Sequence, residues 1–329
     1  MALAAVCTAL TGEDSIEVRE WDVRAPGPGE VKLAMRAASV NFPDVLMVRG
    51  LYQHRPDPPF VPGSEGSGII TAVGDGVTDF APGDRVLFIG GATFATEVVT
   101  RVSVGLMHRI PDEMPFDEAA AFALTYGTAY NALVTRGAVR AGETVLVTGA
   151  AGGVGSAAVE VAKASGARVI AVVGGAEKAA LARDLGADAV IDHTTVDALA
   201  PAVKELTDGR GVDVFCDNVG GADARDLLRC VGWNGRFLVV GFAGGDIPVF
   251  KANQTILKCI SIVGVAYGMS AITDPDTARR EIGALSDWYR EGKVRPAVTA
   301  RFPLAQAADA MRVLQERRAL GKVVVEMPA

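Results

Sequence analysis

Between residues 144 and 265 the chain alternates short β-branched and aliphatic runs with longer segments of good helix formers. The runs at 144–148, 167–173, 188–191, 213–216, 236–240 and 260–265 have the length and composition of buried strands. Between them, 156–164, 177–185, 196–206, 222–231 and 254–258 read as helices, and Gly166 and Gly186 close the first two. Strands that are apolar throughout and joined by helical crossovers predict a parallel sheet covered on both faces. About six such strands make a full, doubly wound Rossmann unit.

The flanks have another texture. Alternating runs such as 15–23 and 31–38 are separated by Pro26-Gly27-Pro28-Gly29, and further turns fall at Val61-Pro62-Gly63 and Ala81-Pro82-Gly83-Asp84. This predicts a mostly β domain. Residues 116–133 read as one helix bridging into the Rossmann unit. After Gly268 the pattern predicts a helix at 277–291, a strand at 294–302, a helix at 304–316 and a strand at 321–327. Two late strands need a sheet to join, and the N-terminal β domain is the nearest. The expected organisation is therefore a β-rich domain of residues 1–124 and 268–329 around a Rossmann domain of residues 125–267.

Chemistry enters where the first Rossmann strand ends, in T-G-A-A-G-G-V-G at 148–155. Backbone N–H groups at a helix N-terminus can face a pyrophosphate, and a Cβ at the points of closest approach would hold the phosphates away. Gly152, Gly153 and Gly155 meet that need in the register Ala150-x-Gly152-x-x-Gly155, a variant of G-x-G-x-x-G. The strand–turn–helix setting turns a weak motif into a dinucleotide site. An NAD site usually carries Asp or Glu about 20 residues further on, for the ribose hydroxyls. Gly174 and Gly175 stand there instead, with Lys178 close behind. Absence of a carboxylate suits the 2′-phosphate of NADPH. Lys178 is then a phosphate ligand, or else a solvated surface lysine; His193, after the third strand, is an adenosine-side group or a structural histidine.

Length and charge narrow the classes. A chain of 329 residues, 50% hydrophobic and 22% charged, has room for two globular domains. A net charge of −7 disfavours nucleic acid or an anionic membrane as partner. The first nine residues lack a signal-peptide pattern, and no uncharged apolar run is long enough to span a bilayer, which predicts a cytoplasmic protein. Cys7, Cys216, Cys230 and Cys259 show no C-x-x-C spacing and read as buried small apolar residues.

Seven segments together carry a family likeness: 37–52 (A-A-S-V-N-F-P-D-V-L-M-V-R-G-L-Y), 62–68 (P-G-S-E-G-S-G), 81–86 (A-P-G-D-R-V), 124–130 (L-T-Y-G-T-A-Y), G-A-A-G-G-V-G, 217–221 (D-N-V-G-G) and 321–325 (G-K-V-V-V). With this domain order, the chain resembles the zinc-free quinone oxidoreductase (zeta-crystallin-like) branch of the medium-chain dehydrogenase/reductase superfamily. The resemblance implies an α/β fold in which a GroES-like catalytic domain accompanies the Rossmann domain. Zinc-dependent relatives place a metal-binding Cys where this chain has Asn41, and a His where it has Ser64. An amide and a hydroxyl do not replace thiolate and imidazole as zinc ligands. Without a Lewis acid, the acceptor must already be electron-poor by conjugation.

The resemblance also assigns residues. Gly152, Gly153, Val154 and Gly155 would hold the pyrophosphate, and Gly174, Lys178 and His193 the adenosine ribose and 2′-phosphate. Asn218, Gly241, Phe242, Val265 and Tyr267 would border the nicotinamide ribose, with Thr128 on the nicotinamide side. Asn41 and Tyr52 would face the ring from the β domain as polar, catalytic contacts, while Asp44, His54 and Glu65 read as turn, surface and supporting residues. The implied activity is NADPH-dependent reduction of a small quinone or similar conjugated carbonyl. The alternatives are reduction of an enone or enoyl-thioester double bond and, from another class, a non-enzymatic NADPH-binding role. The apolar sixth strand would form a sheet edge, and its pairing across a twofold axis would give a homodimer.

Overall fold

In the computed structural model, which describes residues 1–103, 106–221 and 224–328, the chain divides into two units. One is Met1–Leu124 with Gly268–Arg290 and Pro296–Ala329; the other is Thr125–Tyr267 with Glu291–Arg295.

In the first unit β1 (Ala2–Cys7) pairs antiparallel with β2 (Ile16–Trp21). A larger sheet holds β3 (Glu30–Ser39), β4 (Glu65–Val73), β5 (Arg85–Ile89), β6 (Glu97–Arg101) and β7 (Leu106–Arg109). Alternation explains β3: Val31, Leu33 and Met35 face a core shared with Ile70, Val86, Phe88 and Val98. One element in this stretch breaks the alternation. Helix α1 (Phe42–Val48) follows β3 because the Asp44 carboxylate reaches back to the Asn41 N–H at 2.8 Å, as in a capping box, and a proline stands in the first turn. That signal was present at 41–44 but was masked by the β texture around it.

The single helix expected at 116–133 is broken. Helix α2 (Phe116–Ala120) ends, α3 (Ala123–Tyr130) restarts, and a π-helical turn follows at Asn131–Arg136. The restart has a cause in the sheet: the Glu65 carboxylate accepts the Leu124 N–H at 2.8 Å, satisfying a first-turn donor of α3.

The second unit is the Rossmann fold. Its strands β8 (Thr144–Thr148), β9 (Arg168–Val173), β10 (Ala189–Asp192), β11 (Val212–Asp217), β12 (Val231–Val239) and β13 (Ser261–Gly264) lie parallel in the order β10-β9-β8-β11-β12-β13. Helices α4 (Gly153–Ala164), α5 (Ala176–Asp184), α6 (Leu199–Glu205), α7 (Ala224–Cys230) and α8 (Asn253–Ile256) fill the connections. Leu146, Ile170, Phe215 and Phe237 anchor one buried cluster of this unit, with Phe215 and Phe237 meeting edge to face at 4.8 Å. As expected, the sixth strand is at an edge of the sheet.

Helices α9 (Tyr267–Thr273), α10 (Pro275–Arg290) and α11 (Ala307–Gln315) precede or separate the last strands, β14 (Val298–Pro303) and β15 (Lys322–Glu326). Those strands do join the N-terminal sheet, with β15 antiparallel to β3. The cysteine expectation needs correction. Cys7, Cys216 and Cys230 are buried, but Cys259 is exposed, at a left-handed turn (φ 53°) leading into β13. Among the described residues no helix is long and apolar enough to cross a membrane.

Candidate active site

The turn after β8 is built for close backbone approach. Gly149 adopts φ 61°, and the Gly152 N–H closes back on its carbonyl at 2.9 Å. A Cβ on Gly155 would stand 2.0 Å from the Gly149 oxygen, so only glycine lets α4 start this near the strand end. Gly152 differs: its Cβ would meet no protein atom nearer than 3.3 Å. Gly152 is the N-cap and makes no side-chain cap, and no acidic residue occupies the first turn of α4. Among the described residues the N–H groups of Gly153, Val154 and Gly155 meet no side-chain cap, as an anion site at a helix N-terminus requires.

The adenosine end is shaped by Gly174, whose Cβ would lie 2.8 Å from His193 Nε2. A carboxylate-bearing residue cannot stand at 174 without displacing that imidazole. Gly175 caps α5 at φ 89°, a conformation that favours glycine, and Lys178 is half-buried in the first turn. Asp192, which motif reading missed, is the carboxylate of this rim. Hydrogen bonds from the Thr194 hydroxyl (2.7 Å) and N–H, and from Gly175 N–H, hold it below the usual carboxylate range.

Two loops complete the carboxyl edge of the sheet. Thr148 Oγ1 donates to Asp217 at 2.6 Å and accepts the Asn218 N–H at 3.0 Å, and Asn218 Nδ2 donates to the Thr148 carbonyl at 2.9 Å. Asn218 Oδ1 is sequestered and has no hydrogen-bond partner among the described residues. Ala243 N–H reaches the Asn218 carbonyl at 3.2 Å, fastening the 241–244 turn to the 217–221 turn, and Phe242 stands half-exposed at its tip. The Val265 N–H bonds the Val239 carbonyl at 3.0 Å. Tyr267 is 2% exposed; its ring lies where a Cβ of Gly127 would be, at 2.3 Å, and Thr128 is the next residue of α3. The open N–H row, the partnerless Asn218 oxygen and the glycine-lined adenosine end fit a dinucleotide. Behind the rim, Glu160 of α4 accepts from the Tyr126 hydroxyl and the Arg295 N–H, and burial pushes its carboxyl up to about 7.

In the first unit a buried polar cluster gathers around Asn41, one of the two positions that the family resemblance sets against zinc ligands. Lys322, 3% exposed, donates to Asn41 Oδ1 at 2.8 Å, to Glu65 Oε1 at 3.0 Å and to the Val40 carbonyl at 3.4 Å. Asn41 Nδ2 donates to Glu65 Oε1 at 3.1 Å, and Ser39 donates to the same oxygen. Asp44, expected in a turn, is fully buried in α1, where it takes the Asn41 N–H at 2.8 Å and a hydrogen bond from Ser64. Both ends of the Asn41 amide are thus used inside the cluster. Tyr52 is half-buried in the loop after α1, and His54 is exposed.

This donor set does not fit zinc. An ammonium already holds Asn41 Oδ1 and Glu65 Oε1, Asp44 is the one other carboxylate of the cluster, and the remaining groups are an amide and hydroxyls, so no thiolate or imidazole is supplied. Among the described residues no group of three or more His, Cys, Asp or Glu is placed to hold a metal ion. Lys322 was the residue that motif reading passed over. Its signal was the G-K-V-V-V run, which read as a plain closing strand.

Comparison with known proteins places the whole arrangement. Residues 27–108 match the alcohol dehydrogenase GroES-like domain, and residues 153–283 match the family described as zinc-binding dehydrogenase. The quinone oxidoreductase-like protein 2 homolog of Nematostella vectensis is 37% identical, over 98% of this chain and 88% of its own. Among solved structures, the quinone oxidoreductase of Pseudomonas syringae pv. Tomato DC3000 superposes with a TM-score of 0.91 at 31% identity, covering 99% of this chain and 100% of its own. Mycobacterial Rv1454c complexed with NADPH gives 0.90 at 31% identity, over 98% and 99%. The chain belongs to the medium-chain dehydrogenase/reductase superfamily and is an oxidoreductase of its quinone oxidoreductase-like branch.

Proposed function

We propose that this protein is an NADPH-dependent, zinc-independent reductase of a quinone or similar conjugated carbonyl. One observation carries the reading: the Lys322 ammonium holds Asn41 Oδ1 and Glu65 Oε1, acceptors that a metal in this cluster would need. An acceptor activated by its own conjugation needs no such metal. NADPH is supported by Gly174 packed on His193, with Lys178 beside it, and by the NADPH complex of the mycobacterial relative.

The bound dinucleotide supplies the hydride. The chain's part is to orient and to balance charge. The α4 N–H groups bind the pyrophosphate, Asn218 Oδ1 accepts a hydroxyl of the nicotinamide ribose, and Lys178 and His193 meet the 2′-phosphate. Asn41 acts through its neighbours, as a positioning residue, and Tyr52 and Thr128 remain the groups proposed to touch the acceptor or ring. The working form is a homodimer formed through β13, because exposed Ile256, Leu257 and Ile262 surround that open edge.

The test is loss of the near-ultraviolet absorbance of reduced nicotinamide, with NADPH and NADH, against phenanthrenequinone and cyclohexenone. Quinone turnover with NADPH preferred is expected. Turnover of the enone alone moves the protein to the double-bond reductases, and tight NADPH binding without turnover leaves the non-enzymatic role.

A further inference from the structure

We infer that Asp192 is a positioning residue of the adenosine rim: its carboxylate fastens the turn that carries His193 to the turn that leads to Lys178, and so sets the preference for NADPH over NADH. This rests on the NADPH reading above. The observation behind it is a convergence of donors on one side chain. Asp192 ends β10 beside Val173, the last residue of β9, so it stands between the two strand ends from which the rim rises. Its Oδ1 accepts the Thr194 N–H at 3.0 Å and the Thr194 hydroxyl at 2.7 Å. The carboxylate also takes the Gly175 N–H, and Gly175 is the N-cap of α5, with Lys178 in the first turn of that helix.

These bonds fix the backbone under His193. The Thr194 N–H, bonded to a side chain two residues back, closes a turn around residue 193, and the Thr195 N–H closes it again on the Asp192 carbonyl at 3.1 Å. The His193 N–H itself continues the ladder, to the Val173 carbonyl at 2.9 Å. His193 is otherwise exposed, and its imidazole rests on Gly174, where a Cβ would come 2.8 Å from Nε2. An exposed side chain keeps one direction only while the turn beneath it is held, since ordering it costs rotamer and backbone entropy. Asp192 holds that turn, and the same carboxylate holds the entry to α5.

The same bonds explain why a carboxylate at this rim does not make an NAD site. In such a site the acid is free to accept from the ribose hydroxyls. Asp192 already serves three donors and has little acceptor capacity left. Its charge is also partly met by those donors, which limits its repulsion of a 2′-phosphate. Asp192 therefore acts through His193 and the α5 entry, without touching the cofactor.

The experiment measures binding of NADPH and NADH to the full chain by isothermal titration, in the wild type, D192A, D192N, H193A and D192A/H193A. D192A releases both turns and should weaken NADPH about tenfold, with NADH within about twofold. D192N keeps an oxygen for the Thr194 donors and should bind NADPH more tightly than D192A. Because Asp192 acts through His193, the loss in D192A/H193A should fall short of the product of the two single losses by about threefold or more. The chain has three histidines, so H193A identifies the His193 ring signal in proton NMR spectra. In the wild type that signal should move with saturating NADPH and much less with NADH, and in D192A the NADPH-dependent movement should be largely lost. An unchanged NADPH affinity in D192A, or equal losses for both cofactors, overturns the inference and leaves the NADPH reading standing. So does tighter NADPH binding in D192A and D192N, which would make Asp192 a repelling charge, and so do a D192N no better than D192A or single losses that simply multiply. A wild type that binds NADH as tightly as NADPH overturns the NADPH reading and the inference with it.

Discussion

At the carboxyl edge of the six-stranded sheet the chain presents glycines and backbone N–H groups, and Asn218 keeps one amide oxygen without a partner among the described residues. In the β-rich unit, by contrast, Lys322, Glu65, Asn41 and Asp44 answer one another within the core. The rim leaves polar capacity for something outside the chain, whereas the cluster consumes it internally. Damage to the rim should therefore register in ligand affinity with little change in folding. Damage to the cluster should register in folding first, because removal of one partner strands a buried charge.

The largest effect tests the cluster half of this contrast. K322M leaves Glu65, itself 0% exposed, without its cation, at a cost of about 3–5 kcal/mol in the stability of the first unit. Urea denaturation monitored by fluorescence should show the loss, and E65Q added to K322M should recover part of it. An undiminished midpoint in K322M would mean that the ion pair is neutral to folding and that the contrast is misdrawn.

Glu160 sharpens the comparison, since it lies on the cofactor helix yet is buried like the cluster. Burial raises its folded-state value to about 7, from the 4.5 of an ordinary glutamate. Because the value is raised, its stabilising contribution is complete below about 4.5 and is lost as pH rises to about 7, by roughly 3 kcal/mol in all. E160Q should flatten the stability profile across that window. A slope equal to that of the wild type would assign the pH dependence elsewhere.

The same contrast explains what the sequence disclosed. The Rossmann order and the sheet edge at β13 were legible because most strands carry a short apolar run, T-V-L-V-T in β8 and R-V-I-A-V-V in β9, set between helix formers and glycines. The helix break after Ala120 was not, since its cause is Glu65, distant in sequence, capping the Leu124 N–H. Helix α1 was missed because its capping box lies within β-like neighbours. Gly152 and Gly155 were equally visible as letters, yet only the structure separates them: Gly155 is required by packing, and Gly152 is open outward. The Lys322 cluster was invisible for the same reason as the α3 cap. Its members come from β3, α1, β4 and β15, and no local spacing announces such a meeting.

At the rim, K178A should weaken NADPH binding about tenfold, or about 1.4 kcal/mol, and leave NADH within about twofold. Isothermal titration with both cofactors reads this directly. Equal losses for the two would take Lys178 out of contact with the 2′-phosphate, and Gly174 with His193 would then stand as shape alone.

The smallest effect is the most discriminating, because it asks whether a polar group at the rim is held for the fold or for a ligand. The Asn218 side chain donates through Nδ2 to the Thr148 carbonyl and, at 4.0 Å, to Cys216 Sγ, while its backbone N–H separately meets Thr148 Oγ1. N218A removes the side-chain contacts and keeps the backbone one, so folding should lose only about 1 kcal/mol. Its Oδ1 has no partner to lose among the described residues. If that oxygen accepts from a ribose hydroxyl, NADPH and NADH should both bind about five- to tenfold more weakly in N218A, since both carry the same nicotinamide ribose. That equal loss distinguishes Asn218 from Lys178, whose effect should be confined to NADPH. A loss of stability approaching that of K322M with unchanged affinity would reverse the assignment: the rim would then resemble the cluster, with Asn218 serving to fasten β8 to β11.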